Sequence, residues 1–248
     1  MKNYTLTIGW MYPELMSTYG DRGNIIVLKK RCKWRGIDVN IRKLNVGFNE
    51  KQLTACDMLF MGGAQDKQQE IIAGDLMKKR KELKKMIDDG IPGLFICGAY
   101  QFLGNYYKEA NGTIINSLEI FDLFTENPGI GFSRQIGASA ALVLNNKIIV
   151  GFENHGGRTY LGKKIKPFGK VIKGFGNNGK DQTEGAIYKN SFGTYFHGPI
   201  LPKNPEFADY LIRLSLEKKY KKSPIYLSPL NDTLELQAHR LALNALKI

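Results

Sequence analysis

Cys97 has the setting of a reactive thiol. It follows the apolar segment Leu94-Phe95-Ile96 and precedes Gly98-Ala99. A cysteine between a buried strand and a helix occupies the place of a nucleophile elbow, and a helix N-terminus favours the thiolate. The small Gly98 and Ala99 would let a substrate carbonyl come close. The alternative for a free cysteine is to pack as a small apolar residue, which is the reading for Cys32 and Cys56. A thiol nucleophile also needs a base, and the chain has three histidines, His155, His197 and His239. His239 falls within a C-terminal helix, beside Arg240. His155 lies in the polar turn Glu153-Asn154-His155-Gly156-Gly157, which could equally be a binding loop. His197 ends the segment Gly193-Thr194-Tyr195-Phe196, so it stands at a strand end as Cys97 does, and it is the preferred base. Gly62-Gly63 closes another apolar strand. With Gly98 it could supply oxyanion-hole N–H groups, or it could simply be a turn that needs positive φ.

The elements that must position these residues are legible in outline. Residues 4–10 and 37–44 read as strands with a helix between them, followed by the buried strand Met58-Leu59-Phe60-Met61. Ile72, Leu76, Leu83 and Ile87 share one face of a single helix expected to run from Asp66, as its N-cap, to Gly90. Strands alternating with helices, and wholly apolar later strands, indicate an α/β fold with a mostly parallel sheet covered on both faces. Residues 113–196 are β-rich and are expected to extend the same sheet, with Asn145-Asn146 as a hairpin turn. Two helices should finish the chain, one from about Glu206 and one after Asn231-Asp232-Thr233, where Asp232 and Glu235 have capping-box spacing. Residues 1–205 are read as the main domain and 206–248 as a helical extension packed on it.

Composition limits the function classes. With 248 residues, 43% hydrophobic and 24% charged, the chain can bury a sizeable core. No apolar run is long enough for a membrane helix and the start lacks a secretory apolar region, so a cytoplasmic location is expected. Three cysteines without a CxxC spacing argue against a disulfide framework or a zinc site. A net charge of +13 favours acidic partners. Its lysine runs, such as residues 78–81 and 218–222, read as solvated helix faces, and no RNA-recognition or Walker motif accompanies them.

The segments MGGAQD (61 to 66), FICGAYQFLG (95 to 104) and TYFHG (194 to 198) resemble class I glutamine amidotransferases of the cobyric-acid-synthase type. The segments YPELMSTYGDRGNI (12 to 25) and GFENHGGRTYLG (151 to 162) narrow the likeness to a branch acting in peptidoglycan synthesis. The resemblance spans about the first 200 residues and implies a flavodoxin-like fold. It implies that Cys97 attacks the side-chain amide of glutamine, that His197 moves the protons, that Gln101 contacts the glutamine, and that Arg134 holds its carboxylate. Gly63 and Gly98 would then border the substrate. It further implies a Mur-ligase-like partner of the MurT type, which would use this chain's ammonia to amidate D-glutamate in lipid II. Lipid II would be reached through that partner, with a peripheral approach to the membrane surface. ATP and Mg²⁺ belong to the partner, with no cofactor or metal expected on this chain. One departure stands out: His197 is followed by Gly198-Pro199, where many relatives carry His-x-Glu. The acid that orients the imidazole is therefore expected from Glu153, Glu184 or, preferentially, the partner subunit. Two alternatives remain at this level, a glutaminase serving another ATP-dependent amidating synthetase and a non-catalytic binding module.

Overall fold

The computed structural model describes residues 4–248 apart from 130, 144 and 145, so Asn145 of the expected hairpin turn lies outside the described residues. The first part of the chain runs β1 (Thr5–Met11), α1 (Arg22–Trp34), β2 (Asp38–Leu44), α2 (Glu50–Thr54), β3 (Met58–Met61), α3 (Asp66–Lys78), α4 (Arg80–Asp88), β4 (Gly93–Ile96) and α5 (Gly98–Phe102). It continues through β5 (Tyr106–Lys108), β6 (Ile114–Asn116), β7 (Leu123–Glu126), β8 (Gln135–Val143), β9 (Lys147–His155) and β10 (Arg158–Leu161). The last elements are β11 (Gly169–Lys173), β12 (Thr183–Glu184), β13 (Ala186–Tyr188), β14 (Ser191–Thr194), α6 (Pro205–Tyr220) and α7 (Thr233–Leu246).

Six strands form the central sheet in the order β13-β14-β4-β3-β1-β2, parallel except for the edge strand β13. Strands β3, β4 and β14 are buried at every residue, which is why β3 and β4 are apolar without alternation, while β14 buries the hydroxyls of Ser191 and Thr194. Strand order reverses between β1 and β3, and in such sheets the crevice beyond the carboxyl ends of the strands at that point binds ligands.

The β-rich middle does not extend this sheet, contrary to the expectation from sequence. Only β13 and β14 join it. Strands β10-β7-β5-β6 make one further four-stranded sheet and β12-β11-β8-β9 another. The reason is local: β8 and β9 satisfy each other's backbone groups along their whole length, from Gln135 opposite His155 to Val143 opposite Lys147.

Two helix expectations also change. The helix expected from Asp66 to Gly90 is two helices, with Gln65 as the first N-cap and a break at Lys79. The Lys79 ammonium lies over the Phe48 ring at 5.3 Å and 3.8 Å from Asp75. Asp232 is the N-cap residue of α7 but makes no side-chain capping bond. Its carboxylate instead meets Arg31 at 2.6 Å, because that guanidinium is almost fully buried and takes both Asp209 and Asp232 as counter-charges. Helix α6 enters the core through Phe207, Ala208, Leu211, Ile212 and Leu216, whereas α7 buries none of its residues. Among the described residues, no helix is long and apolar enough to cross a membrane. The three cysteines are free and buried.

Candidate active site

Four strand ends of the central sheet converge on one place. The loop after β1 supplies Thr18, Tyr19 and Asp21, the end of β3 leads into Gly62-Gly63-Ala64, β4 leads into Cys97, and β14 leads into His197. Cys97 is the N-cap of α5 with φ 51° and ψ −106°, a left-handed backbone that an L-residue adopts only when its surroundings impose it. That is the strained elbow expected from sequence, and it sets the thiol at the rim of the sheet.

His197 is held on both sides. Its backbone N–H and C=O pair with Phe152 of β9 at 2.8 and 3.2 Å. Its Nδ1 lies 3.1 Å from Asp21 Oδ1, and both side chains are fully buried. A carboxylate only accepts, so Nδ1 carries the donated proton and Nε2 is the ring nitrogen turned toward Cys97. Burial alone would push the imidazole pKa down. The adjacent Asp21 charge and hydrogen bond outweigh it, with Cys97 adding to them, and raise it to about 10. Nε2 has no hydrogen-bond partner of normal geometry among the described residues, and Cys97 is its neighbour across Gly63. A Cβ on Gly63 would fall 2.5 Å from His197 Cε1 and 3.3 Å from Cys97 Cβ, so only glycine lets thiol and imidazole approach there.

The acid bonded to the imidazole is therefore Asp21, where the sequence pointed to Glu153, Glu184 or the partner subunit. Glu153 accepts from the Phe175 and Gly176 N–H groups, and Glu184 from Thr194 Oγ1 and the Tyr195 N–H. Burial raises both carboxyl pKa values, Glu184 to about 8 with help from the charge of Glu153. A second expectation also changes. The Gly63 N–H is not free for an oxyanion, because it donates to Asp21 Oδ2 at 2.7 Å. The next N–H, that of Ala64, lies against Gly98, where an added Cβ would be 3.3 Å from Ala64 N and 2.8 Å from Gln69 Nε2. Among the described residues, neither the Ala64 nor the Gly98 N–H has an acceptor.

Cys97 and His197 open on a cleft of about 480 Å³ whose wall includes Lys67, Gln69, Gln101, Arg134 and His155. Arg134 donates from Nε to Asn154 Oδ1 at 2.9 Å and from Nη2 to the Asn154 carbonyl at 3.0 Å. It faces no carboxylate among the described residues, which suits a cation awaiting an anionic ligand. His155 is buried. Desolvation, with Arg158, His197 and Arg134 nearby, lowers its pKa to about 3, so the ring is neutral, and Nδ1 donates to the Gly157 carbonyl at 2.8 Å. His239 is elsewhere, bonded to the Lys203 carbonyl beside a separate apolar groove under α7.

A thiol, an imidazole and a carboxylate in series at the rim of a doubly wound sheet form the working parts of a cysteine hydrolase. The match of residues 7–205 to the CobB/CobQ-like glutamine amidotransferase domain says which kind. The chain belongs to that family. The amidotransferase is 40% identical over 248 residues to lipid II isoglutaminyl synthase (glutamine-hydrolyzing) subunit GatD of Staphylococcus aureus, covering 97% of this chain and 96% of that one. It is 42% identical over 223 residues to the subunit of the same name from Streptococcus pneumoniae, covering 88% and 83%. A crystal structure of a glutamine amidotransferase superposes with a TM-score of 0.58 over 84% of this chain and 98% of that one, at 15% identity, which speaks for the fold.

Sequence reasoning placed Cys97, His197, Gln101, Arg134 and Gly98 at this amidotransferase's cleft, and all five are there or border it. It passed over Asp21, Gln69, Tyr19 and Tyr195. Asp21 did carry a signal, since it sits in the polar stretch Ser-Thr-Tyr-Gly-Asp-Arg-Gly that follows a parallel strand, where sites form. Tyr19 has φ 53° and places its ring edge-on to His197 with centroids 5.0 Å apart, a contact that no local pattern announces.

Proposed function

We propose that this amidotransferase is the glutaminase subunit of a lipid II isoglutaminyl synthase. Cys97 Sγ attacks the side-chain carbonyl of L-glutamine with the thiol proton held on His197 Nε2, in an imidazolium stabilised by Asp21. The Ala64 and Gly98 N–H groups receive the oxyanion, and Arg134 pairs with the substrate carboxylate. Collapse of the tetrahedral intermediate expels ammonia, which takes its proton from His197 and leaves a thioester on Cys97. Water, deprotonated by the same imidazole, releases glutamate. The ammonia goes to a Mur-ligase-like subunit of the MurT type, where ATP and Mg²⁺ activate the D-glutamate carboxylate of lipid II and the amide formed is D-isoglutamine. A cytoplasmic location follows from that substrate chemistry.

The observation that carries this reading is the Cys97, His197 and Asp21 series, completed within one chain. It removes the need for a partner-supplied acid, so the isolated chain should retain basal glutaminase activity. The test is glutamate release from L-glutamine by the purified chain, with and without a MurT-type ligase, using wild type and Cys97→Ala. Wild-type turnover abolished in Cys97→Ala, with lipid II amidation only when both subunits are present, supports the reading. A stable complex that hydrolyses no glutamine defeats it.

A further inference from the structure

Gln101 follows Cys97 by one helical turn, its N–H donating to the Cys97 carbonyl at 2.9 Å, so its side chain stands on the cleft wall beside the thiol. A carboxamide has two ends of nearly equal shape and opposite hydrogen-bonding character, and the end turned toward a ligand decides what the wall can recognise.

The surroundings of Gln101 leave one orientation. Gln69 Nε2 lies 3.3 Å from the Ala64 carbonyl, which only accepts, so that atom of Gln69 must be its NH₂. The same NH₂ meets Gln101 at 3.3 Å, and the Gln101 atom facing it must be the oxygen. The Gln101 NH₂ then donates to the Tyr195 hydroxyl at 3.2 Å. Having accepted there, Tyr195 directs its own proton to the hydroxyl pair of Thr159, 2.7 Å away, and Thr125, 2.7 Å beyond it. Donation therefore runs from the Gln69 NH₂ to the Ala64 carbonyl on one side and through Gln101, Tyr195 and Thr159 to Thr125 on the other. Tyr195, Thr159 and Thr125 are fully buried, so water cannot compensate a reversed member there. The His155 ring lies flat on the Tyr195 ring, 3.6 Å between centroids and 7° between planes, which fixes the phenol.

We propose that Gln69, Tyr195 and Thr159 are positioning residues that lock the Gln101 amide with an oxygen lone pair facing the cleft, so that the site selects a carboxamide N–H over a carboxylate oxygen. This rests on the glutaminase reading and deepens it: substrate glutamine can donate to that oxygen, whereas product glutamate brings a second acceptor against it.

The experiment compares the KM for glutamine with the inhibition constant for glutamate in wild type, Thr159→Val, Thr159→Ser and Gln69→Glu. Thr159→Val removes the acceptor for the Tyr195 proton, frees that proton to turn toward Gln101, and should lower the ratio of the glutamate constant to the glutamine KM by about tenfold, the worth of one hydrogen bond. Thr159→Ser keeps the hydroxyl and should restore the wild-type ratio. Gln69→Glu offers Gln101 an acceptor in place of a donor, turns the amide end for end, and should lower the ratio further. A purely structural role would slow all variants without moving the ratio. An active enzyme whose ratio is unchanged in both Thr159→Val and Gln69→Glu overturns the inference alone. A wild-type chain that hydrolyses no glutamine overturns the glutaminase reading and this inference together.

Discussion

Asp21 and His197 are 176 residues apart in the chain and 3.1 Å apart in the fold, both fully buried, and the same carboxylate also receives the Gly63 N–H. One acid thus fixes the imidazole on one side and the glycine turn beside Cys97 on the other. It holds a protonated imidazole stable where burial would otherwise expel the charge, which is the role a triad acid performs.

Asp21→Asn should lower glutaminase kcat by about 10²- to 10⁴-fold with the fold intact. The asparagine oxygen can still accept from Gly63, but its NH₂ then faces Nδ1 and favours the tautomer with the proton on Nε2, the wrong one for a base. Steady-state glutamate release at saturating glutamine measures this, and a loss smaller than tenfold would remove Asp21 from the mechanism.

The same pair makes stability depend on pH. His197 has a folded pKa of about 10 against an ordinary 6.5, so the folded chain binds the proton more tightly than the unfolded one. The Asp21 contribution is therefore full below about pH 6.5 and fades as pH rises toward 10. Urea unfolding of wild type and Asp21→Asn should show a stability gap that narrows over that interval, leaving only the pH-independent change at Gly63. A gap that widens with pH contradicts the assignment.

Gly63→Ala should cost about 1–3 kcal/mol in stability and disable catalysis, because its Cβ would stand 2.5 Å from His197 Cε1. Thermal unfolding and turnover, measured together, check the pairing of the two effects. A variant with wild-type kcat would show that the imidazole can retreat without consequence.

Arg134→Ala should raise the glutamine KM by roughly 10- to 150-fold, the loss of a charge-assisted hydrogen bond worth about 1.5–3 kcal/mol, with a smaller change in kcat. Arg134→Lys should recover only part of the affinity, since an ammonium cannot reproduce the planar fork that also bonds Asn154 at two points. Equal KM values for wild type and Arg134→Ala would place the substrate carboxylate elsewhere.

Arg31→Ala should destabilise the chain by about 3 kcal/mol, because it leaves Asp232 without its counter-charge while Asp209 keeps Arg35. Helix α7 buries no residue of its own, so it should be the first segment cut in limited proteolysis of that variant. Cleavage that begins elsewhere would assign the anchoring of α7 to other contacts.

The amino-acid sequence by itself determined the parallel α/β core, because strands buried on both faces must be apolar throughout, as Met58–Met61 and Gly93–Ile96 are. It also marked Cys97 and His197, since each closes an apolar strand and is followed by a glycine. Three matters were decided only by the tertiary structure. The β-rich middle became two separate sheets because β8 and β9 pair with each other, and periodicity shows which residues form strands but not which edges they meet. The acid beside His197 proved to be Asp21, because the loop after β1 and the end of β14 come together only when β1, β3, β4 and β14 align side by side. The direction of the Gln101 amide was settled by the Ala64 carbonyl through Gln69, a constraint between residues of two different loops and helices that share one wall of the cleft. Local pattern reports burial and propensity, whereas which polar group serves which depends on distances that exist only once the sheet has formed.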